Sequence, residues 1–347
     1  MPDRAFHLIL SEILRGMRVA INGFGRIGRV AARLIAESDD IELVAVNDLA
    51  DPATMAHLFK YDSVHGRFNG TVKAEPGLLK INDQLVYAYS ERNPENLPWK
   101  DLEIDIVIES TGHFKTRQEA MRHIGAGARR VIISAPADSA DIKTIVLGIN
   151  DDQIHPDDEV ISNASCTTNS AAPLVKVVDD LCGIESGYIT TVHSYTGDQR
   201  LHDAPHKDLR RARAAAESIV PTSTGAAKAI TRIFPHLHGR MGGCGMRVPV
   251  PDGSITDFTC IVRNPVPVAE INKIFFREAH GRLKGILEYT DEPIVSVDII
   301  GNPHSCIFDA DLTSVIGNMV KVVGWYDNEY GYSARLIDLI RRYAVYH

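Results

Sequence analysis

One cysteine, Cys166, stands among small hydroxyl and amide side chains in the stretch Ser162–Asn169, SNASCTTN. No second cysteine lies close enough to make a CxxC pair, so dithiol and zinc-thiolate chemistry are not indicated. A lone thiol can serve as a nucleophile when its surroundings raise the thiolate fraction. Here a strand-like run, EVISNA, precedes the cysteine and a helix-like run follows it. That places Cys166 at a helix N-terminus, where partial positive charge favours an anion. The next strand-like run, GYITTVHSYT, carries His193 towards its C-terminal end. In a parallel strand–helix–strand crossover the helix starts at the sheet edge where the second strand ends, so Cys166 and His193 should meet there. A Cys–His pair is the arrangement of an activated thiol nucleophile. Spacing alone gives equal weight to a buried cysteine beside an unrelated histidine, because free cysteine is among the most buried residue types.

A second constellation is Gly23-Phe24-Gly25-Arg26-Ile27-Gly28, the pattern GxGxxG. It follows one strand-like run and opens a helix-like run, and Asp48 closes the next strand-like run about 20 residues on. The glycines allow a tight turn and a close approach of backbone N–H groups to a pyrophosphate. Asp48 would accept hydrogen bonds from ribose hydroxyls and repel a 2′-phosphate. Anion sites are a third theme. His206–Arg213, HKDLRRAR, is strongly basic, although a solvated helix face has the same composition. Pro221–Lys228, PTSTGAAK, sets hydroxyls and a glycine before a helix, a plausible phosphate cradle. Arg247 lies in GMRVPVP, on a strand leading to a turn. A nucleotide site, a thiol and two anion sites together suggest a phosphorylated carbonyl substrate. His236 and His238 lack a third ligand and read as a surface turn. Cys182 and Cys260 read as core or loop residues.

These residues need elements to hold them. MRVAING, ELVAVND, DIVIES and RVIISA read as strands, with RIGRVAARLIAES and TRQEAMRHIGAGA as helices between them, which implies a parallel sheet covered on both faces. After about Cys166 longer alternating strands follow (GYITTVHSYT, GMRVPVP, SITDFTCIVR, MVKVVGWYD), with PVAEINKIFFREAHGRL as an amphipathic helix and YSARLIDLIRRYAVYH as the last one. The expected fold is therefore α/β: a Rossmann-type doubly wound parallel sheet over 17–165, completed by a C-terminal helix at 328–347, plus an α+β catalytic domain over 166–327 with a mostly antiparallel sheet. Residues 1–16 are expected to form a frayed extension rather than a signal peptide, with no assigned role. The 347 residues suit two domains. The net charge of −8 speaks against a general nucleic-acid or anionic-membrane binder. Five widely spaced cysteines suit a reducing cytosol, and no apolar run is long enough to span a bilayer.

The segments INGFGRIGR, SNASCTTN, HSYTGDQR, HKDLRRARAAAESIVPTSTGAAKA and WYDNEYGYS resemble the phosphorylating glyceraldehyde-3-phosphate dehydrogenases, from Met17 to the C-terminus. The resemblance implies that Cys166 attacks an aldehyde carbon while His193 takes the thiol proton, and that phosphate then cleaves a thioester on Cys166. It implies a substrate-phosphate site using Thr196 and Arg247 and an attacking-phosphate site using Ser165, Thr167, Thr224 and Gly225. One of Arg210 and Arg211 joins the phosphate sites, and the sequence does not say which. For the cofactor it implies Gly23, Arg26, Ile27, Asp48, Arg92, Ser110, Thr111, Gly112 and Ser134, with Asn328 holding the nicotinamide carboxamide and Tyr332 packing near it. No metal is implied. It further implies glyceraldehyde 3-phosphate and inorganic phosphate as substrates, a homotetramer and a cytoplasmic location.

Two departures bear on the cofactor. Gly197 stands in HSYTG where many NAD-preferring members have asparagine, and Ala204 stands in HDAPH where leucine is frequent. Both resemble photosynthetic members that also use NADP. Asp48 and Pro205 remain, so NAD is the expected cofactor, with some use of NADP. Erythrose-4-phosphate dehydrogenases form the sister family and the alternative reading. They usually lack the HSYT and STGAAK phosphate residues, so Thr196, Thr224 and Gly225 argue for the first family. A redox sensor using Cys166 is a reading of a different class, and it could coexist with catalysis.

Overall fold

The computed structural model describes residues 16–344, and most of the extension read over 1–16 lies outside the described residues. The chain divides into two compact units. Among the described residues, one comprises 16–143, Ile154–Asn163 and 333–344; the other comprises Thr144–Gln153 and Ala164–Tyr332. The sequence reading differs at Thr144–Gln153, Ala164–Ser165 and 328–332, all of which it keeps in the first part. The reason is packing: Val146 and Ala164 belong to the second unit's apolar core, Gly148 lies against Leu283 and Ile286, and the Tyr332 hydroxyl bonds the Ala164 carbonyl.

The first unit is built on a nine-stranded sheet. Its strands are β1 (Met17–Asn22), β2 (Ile41–Asn47), β5 (Val72–Glu75), β6 (Leu78–Ile81), β7 (Gln84–Tyr89), β8 (Ile106–Glu109), β9 (Arg130–Ile133), β10 (Lys143–Thr144) and β11 (Val160–Ser162); β3 (Tyr61–Asp62) and β4 (Gly66–Arg67) form a separate small hairpin. The order is β10-β11-β9-β8-β1-β2-β7-β6-β5. From β11 to β7 every pairing is parallel, and β6 and β5 add an antiparallel edge. The order reverses direction between β1 and β8, the switch point where such sheets open a crevice at the strands' carboxyl ends. Helices α1 (Arg26–Ala36), α2 (Pro52–Lys60) and α3 (Arg117–Gly125) belong to this unit. The strands IVIE and VIS are buried at every residue, as expected of strands covered on both faces. Trp99, Ile104, Val107, Val131 and Ile133 pack together in one of its cores.

The second unit carries a seven-stranded mixed sheet in the order β13-β14-β12-β15-β18-β17-β16. These are β12 (Ile184–Ser194), β13 (Val220–Thr222), β14 (Met241–Val248), β15 (Ser254–Val262), β16 (Leu287–Thr290), β17 (Cys306–Ile316) and β18 (Met319–Tyr326). Four of the pairings are antiparallel, while β12–β14 and β16–β17 are parallel. Strand β15 alternates buried and half-buried residues along its whole length, which is the period a sheet with one covered face imposes. Helices α4 (Cys166–Cys182), α5 (Ala226–Ile233) and α6 (Val268–His280) pack on this sheet around Phe258, Phe275 and Phe308. Helix α7 (Tyr330–Ala344) begins in this unit and from Ser333 on belongs to the first. There Arg341 pairs with Asp40 at 2.8 Å, and the Tyr343 hydroxyl donates to the Asp158 carbonyl at 3.3 Å. The basic run His206–Arg213 is a series of turns, not a helix face.

Candidate active site

Cys166 is the first residue of α4, and Ser165 caps that helix by accepting the Thr168 N–H at 3.1 Å. The turn before it is strained: Ala164 has φ 55, a left-handed conformation that costs an alanine about 1–2 kcal/mol. The Tyr332 hydroxyl holds this turn by donating to the Ala164 carbonyl at 3.0 Å. Tyr332, expected from the resemblance to pack near the nicotinamide, here braces the segment that carries the thiol.

Cys166 Sγ lies 3.4 Å from His193 Nε2. The sequence predicts this meeting but not the route to it. Strand β11 belongs to the first sheet and β12 to the second, so the two do not form the parallel crossover inferred from the sequence. The geometry comes instead from a helix-to-strand return. Helix α4 has 17 residues and runs about 25 Å. The chain turns at Gly183, φ 68, and β12 comes back along it far enough to bring His193 to the helix start.

Arg247 joins the pair through sheet register, since His193 and Arg247 are direct partners on β12 and β14. Its guanidinium contacts His193 Nδ1 and donates to the Ser194 carbonyl at 2.9 Å. The same carbonyl lies 2.8 Å from His193 Nδ1. An imidazole that donates from Nδ1 to this carbonyl keeps Nε2 free to accept the thiol proton. Burial lowers His193 to about 3, and Arg247 adds to that. Burial also pushes the Cys166 thiol up, against the pull of Arg247 and Thr167. The sequence reading has the helix terminus lowering the thiol; burial outweighs it. Each group resists ionising alone. A proton passing from Sγ to Nε2 leaves the pair's net charge unchanged and sets the thiolate at the helix N-terminus.

Around this trio, the Thr167 hydroxyl bonds the buried Tyr326 hydroxyl at 2.9 Å, and Thr191 bonds the same hydroxyl at 2.8 Å. The Tyr326 ring meets the His193 ring edge-on at 5.9 Å. Asn328 Oδ1 accepts from Ser194 Oγ at 2.9 Å and Ser254 Oγ at 2.6 Å, which turns its Nδ2 outward from those two hydroxyls. Thr224 Oγ1 accepts the Ala226 N–H at 3.2 Å, and Gly225 caps α5 without a side chain. The Thr196 N–H donates to Gln199 at 3.3 Å. Arg211 is directed inward: it donates twice to Thr222 Oγ1, at 3.0 and 2.8 Å, and pairs with Asp198. Arg210 is exposed. Sequence reasoning misses Tyr326, Thr222, Ser194 and Ser254. Tyr326, Ser194 and Thr222 carry a signal, their places in WYDNE, HSYTGDQR and PTSTGAAK; Ser254 carries none beyond its strand.

In the first unit a cavity of about 500 Å³ opens at the carboxyl ends of the strands. Gly23, Asp48, Arg92, Ser110 and Thr111 line it, with Asn22, Gly25 and Asn47 beside them. Arg26, Ile27, Gly112 and Ser134 are not among its lining residues. Arg26 instead bonds Asp62 at 2.6 Å, Gly112 makes a turn with φ 76, and Ser134 N–H donates to the Glu109 carbonyl. Three features fit a dinucleotide. Helix α1 starts at Gly25 with no side-chain cap, so its first N–H groups face an incoming anion. A Cβ at Gly23 would lie 2.6 Å from the Ser110–Thr111 backbone, and one at Gly28 would lie 2.1 Å from the Gly23 carbonyl oxygen. The Asp48 carboxylate accepts the Phe24 N–H at 2.7 Å and the Ala50 N–H at 3.0 Å, which holds it at the glycine turn.

Comparison with known proteins follows the same division. Residues 17–117 match the family model described as glyceraldehyde 3-phosphate dehydrogenase, NAD binding domain, and residues 165–328 match the one described as its C-terminal domain. The chain is 57% identical over 325 residues to glyceraldehyde-3-phosphate dehydrogenase 1 of Streptomyces avermitilis, covering 93% of this chain and 97% of that one. It is 55% identical to the glyceraldehyde-3-phosphate dehydrogenase of Mycobacterium avium and 54% to that of Geobacillus stearothermophilus, with the same coverage.

Proposed function

Because the chain belongs to the glyceraldehyde 3-phosphate dehydrogenase family, we propose that it converts D-glyceraldehyde 3-phosphate and inorganic phosphate to 1,3-bisphosphoglycerate through a thioester on Cys166. The observation that carries this reading is the 3.4 Å approach of Cys166 Sγ to His193 Nε2 at a helix N-terminus, with Arg247 alongside. NAD, the cofactor of this family's N-terminal domain, supplies the hydride acceptor when bound.

In the first half, Cys166 Sγ bonds to the aldehyde carbon as its proton passes to His193 Nε2. The carbonyl oxygen takes up negative charge, and the protonated imidazole hydrogen-bonds to it. Loss of a hydride from that carbon re-forms the carbonyl and leaves the thioester. In the second half, a phosphate oxygen attacks the carbonyl carbon, the C–S bond breaks, and the sulfur recovers a proton from His193. Burial keeps the imidazole neutral at rest, so it is available as a base throughout the physiological range.

Arg247 and Thr196 are assigned to the substrate phosphate, and Ser165, Thr167, Thr224 and Gly225 to the attacking phosphate. Arg211, directed at Thr222 rather than exposed like Arg210, is the arginine assigned to these anions. Gly23, Asp48, Arg92, Ser110 and Thr111 are assigned to NAD, together with Asn328 for its carboxamide. A homotetramer is the assembly assigned; exposed Leu201, Leu209 and Ile219, from 68% to 81% accessible, are apolar side chains that self-association would cover. None of the described helices is long and apolar enough to cross a membrane, and a cytoplasmic location is the reading adopted.

The test is NADH formation from glyceraldehyde 3-phosphate with and without inorganic phosphate, beside Cys166→Ser. Phosphate-dependent turnover that disappears in the variant is expected. Oxidation indifferent to phosphate, or faster with erythrose 4-phosphate, would overturn the proposal.

A further inference from the structure

The dinucleotide cavity is walled by four separate chain segments, around Asn22–Gly25, Asn47–Leu49, Glu91–Arg92 and Ser110–Phe114. One buried hydrogen-bonded network has a member in each. Glu109, at the end of β8, accepts from the Thr111 N–H at 2.8 Å and from the Thr111 hydroxyl through Oε1. Through Oε2 it accepts from Asn22 Nδ2 at 2.5 Å and His123 Nε2 at 3.1 Å. Asn22 Oδ1 accepts from Asn47 Nδ2 at 2.7 Å. Asn47 in turn brackets Glu91, donating to its carbonyl at 2.9 Å and accepting its N–H at 2.8 Å.

The far end of the network determines its direction. The Trp99 indole N–H can only donate, and it donates to His123 Nδ1 at 3.0 Å. His123 Nδ1 is therefore the acceptor nitrogen, and the ring proton sits on Nε2, where it donates to Glu109. Trp99, His123, Glu109 and Asn22 are each no more than 1% exposed. Neither His123 nor Trp99 lines the cavity, so neither touches a ligand there. Reversing His123 would set a ring N–H against the indole N–H, and reversing Asn22 would set its oxygen against the Glu109 carboxylate. Asn22 Nδ2 and His123 Nε2, 3.4 Å apart, are two donors that share Glu109 Oε2 as acceptor.

We propose that Glu109, His123 and Trp99 are positioning residues for the dinucleotide: they hold Asn22, Asn47, Glu91 and Thr111 in the mutual register that the bound cofactor requires. Glu109 is the junction, because it joins the glycine-turn wall to the Thr111 wall. His123 orients Glu109, and Trp99 selects the His123 tautomer. This rests on the reading that the cavity takes NAD.

The experiment compares the full-length parent with His123→Leu, His123→Gln and Glu109→Gln. It measures NAD affinity by calorimetric titration, KM for NAD and kcat, and thermal midpoint. His123→Leu removes both bonds, and Kd for NAD should rise about tenfold or more, the effect of one buried hydrogen bond lost. His123→Gln retains one acceptor and one donor and should recover most of the affinity. Glu109→Gln sets an amide N–H against donors whichever way it turns, those of Asn22 and His123 or the Thr111 N–H, and should weaken binding like the leucine variant. The loss should appear in KM for NAD far more than in kcat. A His123→Leu protein with a lowered midpoint but the parent's Kd and KM would show the network to be structural only and would overturn the proposal. Should that variant not fold, Trp99→Phe removes the terminal donor alone, and a Kd equal to the parent's overturns it as well. A parent protein that binds no NAD would instead overturn the cofactor reading beneath it.

Discussion

The three glycines of the Gly23–Gly28 turn share one pattern, GxGxxG, but the structure gives them different work, and alanine substitution should separate it. At Gly28 a Cβ would lie 2.1 Å from the Gly23 carbonyl oxygen and 3.1 Å from Ile21 Cγ2 and Ser110 Oγ. The closest atom is backbone, so the turn or the helix must shift; overpacking of this kind costs about 1–3 kcal/mol. At Gly23 the Cβ would meet Ser110 and Thr111 backbone at 2.6 Å, and φ is +95. The positive φ adds about 1–2 kcal/mol to the steric cost. At Gly25 nothing lies within 4 Å of the Cβ, yet the residue lines the cavity. Gly25→Ala should therefore change stability by no more than about 0.5 kcal/mol, the range for sites without such clashes. Its methyl group, however, occupies space that a pyrophosphate needs at the uncapped start of α1. Thermal unfolding without ligand and calorimetric NAD titration, run on all three variants, give the two axes. Gly28→Ala and Gly23→Ala should lower the midpoint by several degrees, at roughly 2–4 °C per kcal/mol for a domain of this size. Gly25→Ala should keep the parent's midpoint and lose at least about tenfold in NAD affinity, or ~1.4 kcal/mol. A Gly25→Ala protein that binds NAD like the parent, or unfolds as early as Gly28→Ala, would refute the division of roles.

Three further predictions concern the second unit. Replacing His193 with asparagine removes the base at Cys166 Sγ and should lower kcat about 10²–10⁴-fold, the usual contribution of general base catalysis; single-turnover NADH formation reads it. Arg247→Leu removes the cation paired in register with His193 and should raise KM for the phosphorylated aldehyde about tenfold or more, as for a lost charge-assisted hydrogen bond, while leaving activity on unphosphorylated glyceraldehyde much less affected. Asp252 is buried, and burial, then Asp327 and Glu329, raise its carboxyl from 3.8 to about 9. Between those two values the folded state holds a proton that the unfolded state has lost, so this residue makes stability fall as pH rises from about 4 to 9. Asp252→Asn keeps an acceptor for the Gly253 N–H and removes the titration, so its thermal midpoint should gain on the parent's as pH rises through that window. A difference that stays constant with pH counts against a raised Asp252 carboxyl.

The features legible in the amino-acid sequence are mostly short-range chemistry. The Gly23–Gly28 turn, its helix and Asp48 can be read there because steric freedom, dipole and strand length all act within a few tens of residues. The same holds for Cys166 at the first turn of α4, where Ser165 provides the cap. The strands and helices between them follow from their periodicity. Other features depend on partners distant in sequence. The sequence predicts the Cys166–His193 meeting for the wrong reason, since β11 and β12 pair in different sheets. Arg247 reaches His193 through strand register, which spacing does not encode. Arg211 and Arg210 are neighbours of one residue type, and only the position of Thr222 and Asp198 distinguishes them. The thiol's ionisation turns on burial, a property of surrounding atoms rather than of the helix that carries it. Glu109 and His123 look like ordinary members of a strand and a helix until packing brings Trp99 and Asn22 to them. The sequence by itself determined which groups were available and which local turns would present them. Tertiary structure decided which groups meet, with what polarity and how far from water, because hydrogen-bond direction and desolvation are set by three-dimensional neighbours.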